Sequence, residues 1–99
     1  MKKHQITQLN GKLSVSFFKQ DGCVIAYAPA LDLSSYGSTE REAQKNFGEA
    51  LDLFWSSFSD ARELDQLLGS LGWNKTKGAS WEPPKVTQKE ITLDKKVLA

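Results

Sequence analysis

Acidic residues are the first candidates for chemistry, because two-metal cleavage of a phosphodiester needs several carboxylates that converge on ions about 4 Å apart. Asp32, on a predicted third strand, is the one carboxylate placed like a catalytic residue. Asp21 is better explained by a turn, and Glu40 and Glu42 by the capping of a helix. We therefore expect no catalysis and no metal-dependent nuclease activity.

Cys23 is the other candidate nucleophile, and a reactive thiolate needs a base beside it. The sole histidine, His4, lies near the start of the chain, so a structural thiol is the favoured interpretation. Structural zinc normally takes four nitrogen or sulfur ligands, which one cysteine and one histidine do not supply. We expect no metal and no cofactor, and a lone cysteine fits a reducing cytoplasm.

Two tryptophans suggest an alternative function in nucleic-acid binding. Trp73 and Trp81 could stack on the bases of a single strand, in a region that also carries Lys75, Lys77 and Lys85. The competing interpretation is that both rings close the core around a helix end. The net charge is only +1, from 13 basic and 12 acidic residues, so DNA binding by this chain alone is not expected.

Length and composition indicate one globular domain. The chain has 99 residues, of which 39% are hydrophobic and 25% charged. No apolar run approaches the roughly eighteen residues that a membrane span needs, and no signal peptide opens the chain. We expect a cytoplasmic protein without membrane contact.

The strongest structural signal is a long amphipathic helix, predicted over 39–58. Its apolar residues recur with a 3.6-residue period and form one stripe: Ala43, Phe47, Ala50, Leu51, Phe54, Trp55 and Phe58. Thr39 and Glu42 form a capping box, in which the glutamate is expected to reach back to the Thr39 N–H. Four members of the stripe should be nearly buried: Phe47, Leu51, Phe54 and Phe58.

Strands are expected to receive that stripe. The alternation and turn signals predict strands over 4–9, 12–19, 23–28, 31–36 and 73–76. Asn10-Gly11 and Asp21-Gly22 read as two-residue hairpin turns, and Pro29 ends the strand before it. Gly37 is expected to turn the chain into the long helix.

The remaining segments are a second helix and an extended end. The helix is predicted over 61–68, with Lys77-Gly78 as a turn beyond it. Residues 81–84 should be extended because prolines restrict the backbone. Residues 86–93 alternate loosely and are expected to form a last strand or an arm.

The Asp21-Gly22 hairpin sorts its side chains onto two faces. With Phe18 opposite Ile25, one face is apolar with small alanines and is assigned to the core: Val15, Phe17, Val24, Ala26 and Ala28. The other face clusters Phe18, Ile25 and Tyr27, which a monomer rarely leaves uncovered. These three residues and Trp81 are the candidate partner surface.

The run VIAYAP-ALDLSSYG-STEREAQKNFGEAL, after the Asp-Gly hairpin, resembles the HicB family of type II antitoxins and related small proteins. The matching positions are Gly22, Ile25, Ala26, Pro29, Leu31, Gly37, Thr39, Glu42, Ala43, Asn46 and Ala50. The resemblance covers about residues 13–75. It marks Gly22, Pro29, Gly37, Thr39 and Glu42 as the structural motif.

The resemblance implies an α+β, partial ribonuclease H-like fold, with an antiparallel-dominated sheet and one main helix on one face. It implies a HicB-like domain over 1–85, which neutralises a HicA-type mRNA-cleaving toxin by covering its active surface. Many such antitoxins also carry a C-terminal DNA-binding domain. Only fifteen residues follow Pro84, so 86–99 are expected to be an arm or edge strand, and the chain an orphan single-domain member if no toxin is encoded beside it. Without a toxin, a homodimer or higher even-numbered assembly is expected.

Overall fold

The structure is a computed structural model that describes residues 8–78 and 80–97, and it has an α+β architecture. The elements are, in chain order, β1 (Gln8–Leu9), β2 (Ser16–Gln20), β3 (Cys23–Ala28), β4 (Leu33–Gly37), α1 (Glu40–Ser56), α2 (Ala61–Ser70), β5 (Asn74–Lys75) and β6 (Ser80–Glu82). The predicted strand over 4–9 is described only at its last two residues, and 4–7 lie outside the described residues. Within the described chain, neither helix is long and apolar enough to cross a membrane.

Strands β2, β3 and β4 form an antiparallel sheet in that order. Asp21 and Gly22 have φ of 52° and 77°, the positive values that a type I′ hairpin turn requires. Phe18 lies opposite Ile25, and Gln20 opposite Cys23. The predicted hairpin and its register are therefore confirmed.

Strand β4 begins two residues later than the strand predicted over 31–36, because residues 29–32 make a turn. The Leu31 N–H donates to the Ala28 carbonyl and the Asp32 N–H to the Pro29 carbonyl. Asp32 has a φ of 49°, which takes it out of any strand. The prediction of Asp32 as a strand carboxylate was wrong, since it lies in the turn that lets β4 return beside β3.

A second small sheet has the order β1–β6–β5. Strand β1 pairs in parallel with β6, and the Asn10 N–H donates to the Trp81 carbonyl at 2.9 Å. The predicted hairpin at Asn10-Gly11 was wrong, because its first strand pairs with a distant C-terminal segment instead of with β2. For the same reason the strand predicted over 12–19 begins only at Ser16.

Helix α1 packs across the inner face of β3 and β4 through small side chains. Ala26 and Ala28 are fully buried against Ala43 and Phe47 of the helix. This confirms the face that the hairpin register assigned to the core. Gly37 supports the same close approach, because a Cβ at this position would lie 2.6 Å from the backbone nitrogen of Ala43. Gly37 thus ends β4 under the helix, the chain bends into α1 directly after it at residues 38–39, and the missing side chain also allows the short packing distance.

The second half of α1 lies over another buried cluster: Ala30, Leu31, Leu68, Trp73 and Trp81. Of the four stripe residues expected to be nearly buried, only Phe47 is, at 5% exposure. Leu51, Phe54 and Phe58 are half-buried. Phe54 packs edge-on against Trp55 and Phe58, with ring centroids 4.9 and 5.3 Å apart. That prediction was wrong for three residues: Leu51 and Phe54 pack at the margin of the buried clusters, and Phe58 lies beyond the end of α1 at Ser56.

Helix α2 presents Leu68 to this cluster, as its predicted apolar side requires. Beyond Gly72, the Trp73 indole N–H donates to the Ala30 carbonyl at 2.9 Å. From Pro83 to Val97 the chain is neither helix nor strand, so a last strand over 86–93 is not formed. We call residues 86–97 the arm. Its one side-chain hydrogen bond to the domain among the described residues is from Gln88 to the Ser16 hydroxyl.

The close approach at Gly37 can be tested with a matched glycine. We expect Gly37→Ala to destabilise the fold by about 1–3 kcal/mol, because the added methyl group meets backbone atoms that cannot move aside. Gly48, exposed inside α1, has no atom within 4 Å of its added Cβ, so Gly48→Ala should stabilise by about 0.5–1 kcal/mol. Chemical denaturation that ranks the two substitutions the other way would contradict this packing.

Phe47 is the aromatic residue that anchors α1 on the sheet. We expect Phe47→Ala to lower the free energy of unfolding by about 3–5 kcal/mol through the cavity it leaves. Leu53→Ala, at a helix position 71% exposed, should change it by less than about 0.5 kcal/mol. Equal midpoints for the two variants in urea would remove Phe47 from the core.

Candidate partner-binding surface

The candidate site is the side of the β2–β3–β4 sheet that faces away from α1, which we call the outer face. Strand alternation and register place these residues on it: Ser16, Phe18, Gln20, Cys23, Ile25, Tyr27, Ser34 and Tyr36. None of them carries a formal charge at neutral pH. The part of the chain that the structure describes places no helix or strand over this face.

An apolar row crosses the centre of the outer face. Phe18 lies opposite Ile25 on β3, and Ile25 lies opposite Tyr36 on β4. Phe18 is 46% exposed and Tyr36 65% exposed, while Ile25 between them is half-buried. The three side chains therefore form one strip across three strands, the kind of exposed apolar surface that marks interaction sites.

Tyr36 is the member of this row that the sequence did not reveal. Its signal was the alternation of LDLSSY, which does predict a strand. Alternation alone does not say which strand is the neighbour or in which register. The turn over 29–32 decides both, and it brings Tyr36 beside Ile25.

Tyr27 lies at one end of the outer face and is held by the turn that follows β3. Its hydroxyl donates to Asp32 Oδ1 at 3.0 Å. This hydrogen bond, with partial burial and the nearby negative charge, raises the pKa of Tyr27 above its ordinary value. Asp32 thus holds the hydroxyl of a tyrosine on the outer face.

Trp81 does not belong to the candidate surface, and that prediction was wrong. Its side chain is only 7% exposed, and its indole N–H donates to Asp65 Oδ1 at 3.0 Å. The Lys75 Nζ atom lies 5.7 Å from the centre of the Trp81 ring and 3.6 Å from Asp65 Oδ2. Trp73 is equally buried. Both tryptophans are core residues, so the structure does not offer them for stacking on bases.

The motif residues support the surface from below. Thr39 caps α1, and its hydroxyl accepts the Glu42 N–H at 3.1 Å, as predicted. The Glu42 carboxylate, however, accepts from the N–H and the hydroxyl of Ser38, at 2.8 and 3.1 Å, instead of from Thr39. These two hydrogen bonds lower the pKa of Glu42, and the bond from the Ser38 backbone N–H has the larger effect. Gly22 forms the hairpin turn and Pro29 starts the next one.

The same capping arrangement recurs at the start of α2. The Asp60 carboxylate accepts the Glu63 N–H at 2.9 Å, and the Glu63 carboxylate accepts from the N–H and hydroxyl of Ser59. The sequence repeats as Ser-Thr-Glu-Arg-Glu and Ser-Asp-Ala-Arg-Glu. This pattern marks helix starts, which explains these acidic residues without chemistry.

Potential catalytic and metal-binding groups are dispersed. Among residues 8–78 and 80–97, no three of the histidine, cysteine and carboxylate side chains cluster as metal ligands. Cys23 is half-buried beside the hairpin turn, and His4 lies outside the described residues. Comparison of the chain with protein-family models, with curated proteins and with solved structures finds no match.

The cap of α1 should make stability depend on pH. Because the folded-state pKa of Glu42 is lowered, its stabilisation is present above the unfolded pKa of about 4.3 and is lost as the pH falls through the folded value. We expect Glu42→Gln to destabilise the protein at pH 7 and to have a smaller effect near pH 3, measured by urea denaturation.

Thr39→Ala is the matched control, because its hydroxyl does not titrate. It should cost about 1 kcal/mol at both pH values, since it leaves the Glu42 N–H without its partner. A Glu42→Gln effect that stays constant with pH would show that the carboxylate charge adds nothing to the cap.

Proposed function

We propose that this chain is an antitoxin-like protein-interaction module of the HicB type. It would bind and neutralise a HicA-type mRNA-cleaving toxin, or stand as an orphan single-domain member of that family. The observation that carries the proposal is the uncharged outer face with its row of Phe18, Ile25 and Tyr36. Removing an apolar strip of this kind from water stabilises the complex with a partner.

The arrangement of elements supports the finer fold that we propose, a partial ribonuclease H-like domain. Three antiparallel strands precede a helix that lies across one face of their sheet. The residues that carry the resemblance occupy the joints of this unit: Gly22 in the hairpin, Gly37 beneath the helix and Thr39 at its start. Because these motif residues fix the connections between elements, they support a fold shared with the HicB family and leave the outer face available for binding.

Charge favours a protein partner over a nucleic acid. Interfaces with nucleic acids are strongly positive, because lysine and arginine neutralise phosphates. The outer face has neither residue type, and its polar groups are serine, tyrosine and glutamine side chains. We accordingly propose a cytoplasmic binding module that is not an enzyme and that also associates with itself.

The test begins with the neighbouring reading frame: a short basic protein encoded there would serve as the toxin. We expect co-expression of this chain to restore growth and the two purified proteins to elute as one complex. Ile25→Glu should weaken the complex by about 100-fold or more, because it places a charge at the centre of the buried strip. Binding would be measured by calorimetry with a catalytically inactive toxin.

Leu53→Glu is the matched control, an apolar-to-acidic change at an exposed helix position away from the outer face. It should leave toxin affinity unchanged within about twofold. Equal loss in both variants would move the interface off the sheet. Failure of the wild-type chain to bind or neutralise the toxin would contradict the antitoxin proposal, and binding to RNA that disappears in moderate salt would favour the nucleic-acid alternative.

A further inference from the structure

The arm and the free edge of β2 are complementary segments, and within one chain they are joined only by the side-chain hydrogen bond between Gln88 and Ser16 among the described residues. Ile91, Leu93 and Val97 are 83%, 95% and 87% exposed. Their segment reads Glu-Ile-Thr-Leu-Asp over 90–94, with apolar and polar residues in alternation. Such a segment matches a strand whose one side is apolar, and it has no strand partner among the described residues.

The described strands leave two edges in the larger sheet, β2 and β4. At β4, the Asn46 side chain of α1 donates to the Tyr36 carbonyl at 2.8 Å and so occupies one backbone acceptor of that strand. No described helix or strand covers the outside of β2. An uncovered edge presents backbone donors and acceptors that pair readily with another strand.

We propose that residues 89–93 of one copy add as an antiparallel strand to the β2 edge of a second copy. In the register that we infer, Ile91 lies opposite Phe18, Glu90 opposite Lys19, Thr92 opposite Phe17 and Leu93 opposite Ser16. Ile91 and Leu93 then extend the apolar row on the outer face. Glu90 meets Lys19 on the other side of the sheet, where opposite charges stabilise a cross-strand pair.

The arm does not make this pairing with its own strand. Its Gln88 side chain donates to the Ser16 hydroxyl at 2.8 Å, which holds residue 88 beside the start of β2. The antiparallel register would place Gln88 beyond Gln20, at the opposite end of the strand. If the arm instead continued from Gln88 parallel to β2, Glu90 would lie beside Phe18 on the outer face. Ile91 would then lie beside Lys19, on the side of the sheet that faces α1. The acceptor is therefore a second copy.

This pairing gives the outer face residues that one chain lacks. The partner copy supplies Ile91 and Leu93 beside Phe18, and the sheet grows from three strands to four. The inference concerns self-association and stands apart from the identity of any other partner. If both arms exchange, a two-fold dimer results, with two Lys19–Glu90 pairs related by symmetry.

Charge reversal tests the register with the full-length protein. We expect the wild type to be a dimer at high micromolar concentration by analytical ultracentrifugation. Lys19→Glu and Glu90→Lys should each weaken the dimer by about tenfold, because each places like charges opposite one another in both exchanged arms. The double variant should return to within about twofold of the wild type.

Mixing the two single variants separates exchange between copies from every other arrangement. In the mixed dimer, the glutamate introduced at position 19 of one variant meets the lysine introduced at position 90 of the other. The unmodified Lys19 and Glu90 meet in the second pairing, so each arm faces an opposite charge. The mixture should therefore dimerise about tenfold more tightly than either variant alone. Asp94→Lys is the matched control, since Asp94 lies outside the paired residues, and it should stay within about twofold of the wild type.

Several outcomes would overturn the proposal. These are a wild-type monomer at high micromolar concentration, unchanged dimerisation in both single variants, and no gain on mixing. A loss from Asp94→Lys that matches the loss from Glu90→Lys would show that the overall charge of the arm, and not the Lys19–Glu90 pair, sets the affinity. Lys19 and Glu90 are both exposed, so the variants should retain the wild-type circular dichroism spectrum and melting curve, which excludes misfolding as the cause.

Discussion

The structure depends on the short distance between α1 and the inner face of β3 and β4. Alanines at 26, 28 and 43 and the glycine at 37 allow that distance, and a single added methyl group at Gly37 would meet backbone atoms. Because small residues bring the helix close, the helix buries the centre of one side of the sheet, at Ala26 and Ala28. The apolar residues on the opposite side then have no described helix or strand to cover them, and the candidate interface is a consequence of this packing.

The second cluster packs the C-terminal half of α1 against α2 and the small sheet of β1, β6 and β5. Trp73 and Trp81 fill it, and each indole N–H has a partner, the Ala30 carbonyl and the Asp65 carboxylate. Buried tryptophans need such partners, because an unpaired N–H in the core is costly. The first bond ties the turn after β3 to the residue before β5, and the second ties β6 to α2. The same cluster thus sets where the chain leaves the domain and the arm begins.

The two edge strands of the larger sheet differ in how open their backbone groups are to pairing with another strand. On one side, Asn46 satisfies a carbonyl of β4 and removes a site for strand addition. On the other side, β2 retains an edge, and the arm carries exposed isoleucine and leucine. Exposed edges and exposed apolar segments are both unfavourable in an isolated monomer. One contact between copies would relieve both, which connects the arm to the outer face that we propose as the binding surface.

Local patterns in the sequence determined the turns and elements that depend only on residues close together in the chain. Asp21-Gly22 specifies a turn with positive φ, so the hairpin and the face of every residue in it follow from alternation. Thr39 and the 3.6-residue stripe likewise specify α1. The tertiary structure alone decided contacts between distant segments: the pairing of β1 with β6, the burial of Trp81, and the neighbour of Tyr36. The physical reason is that strand pairing and burial are set by which surfaces meet after the chain folds, and alternation within a segment does not encode its partner.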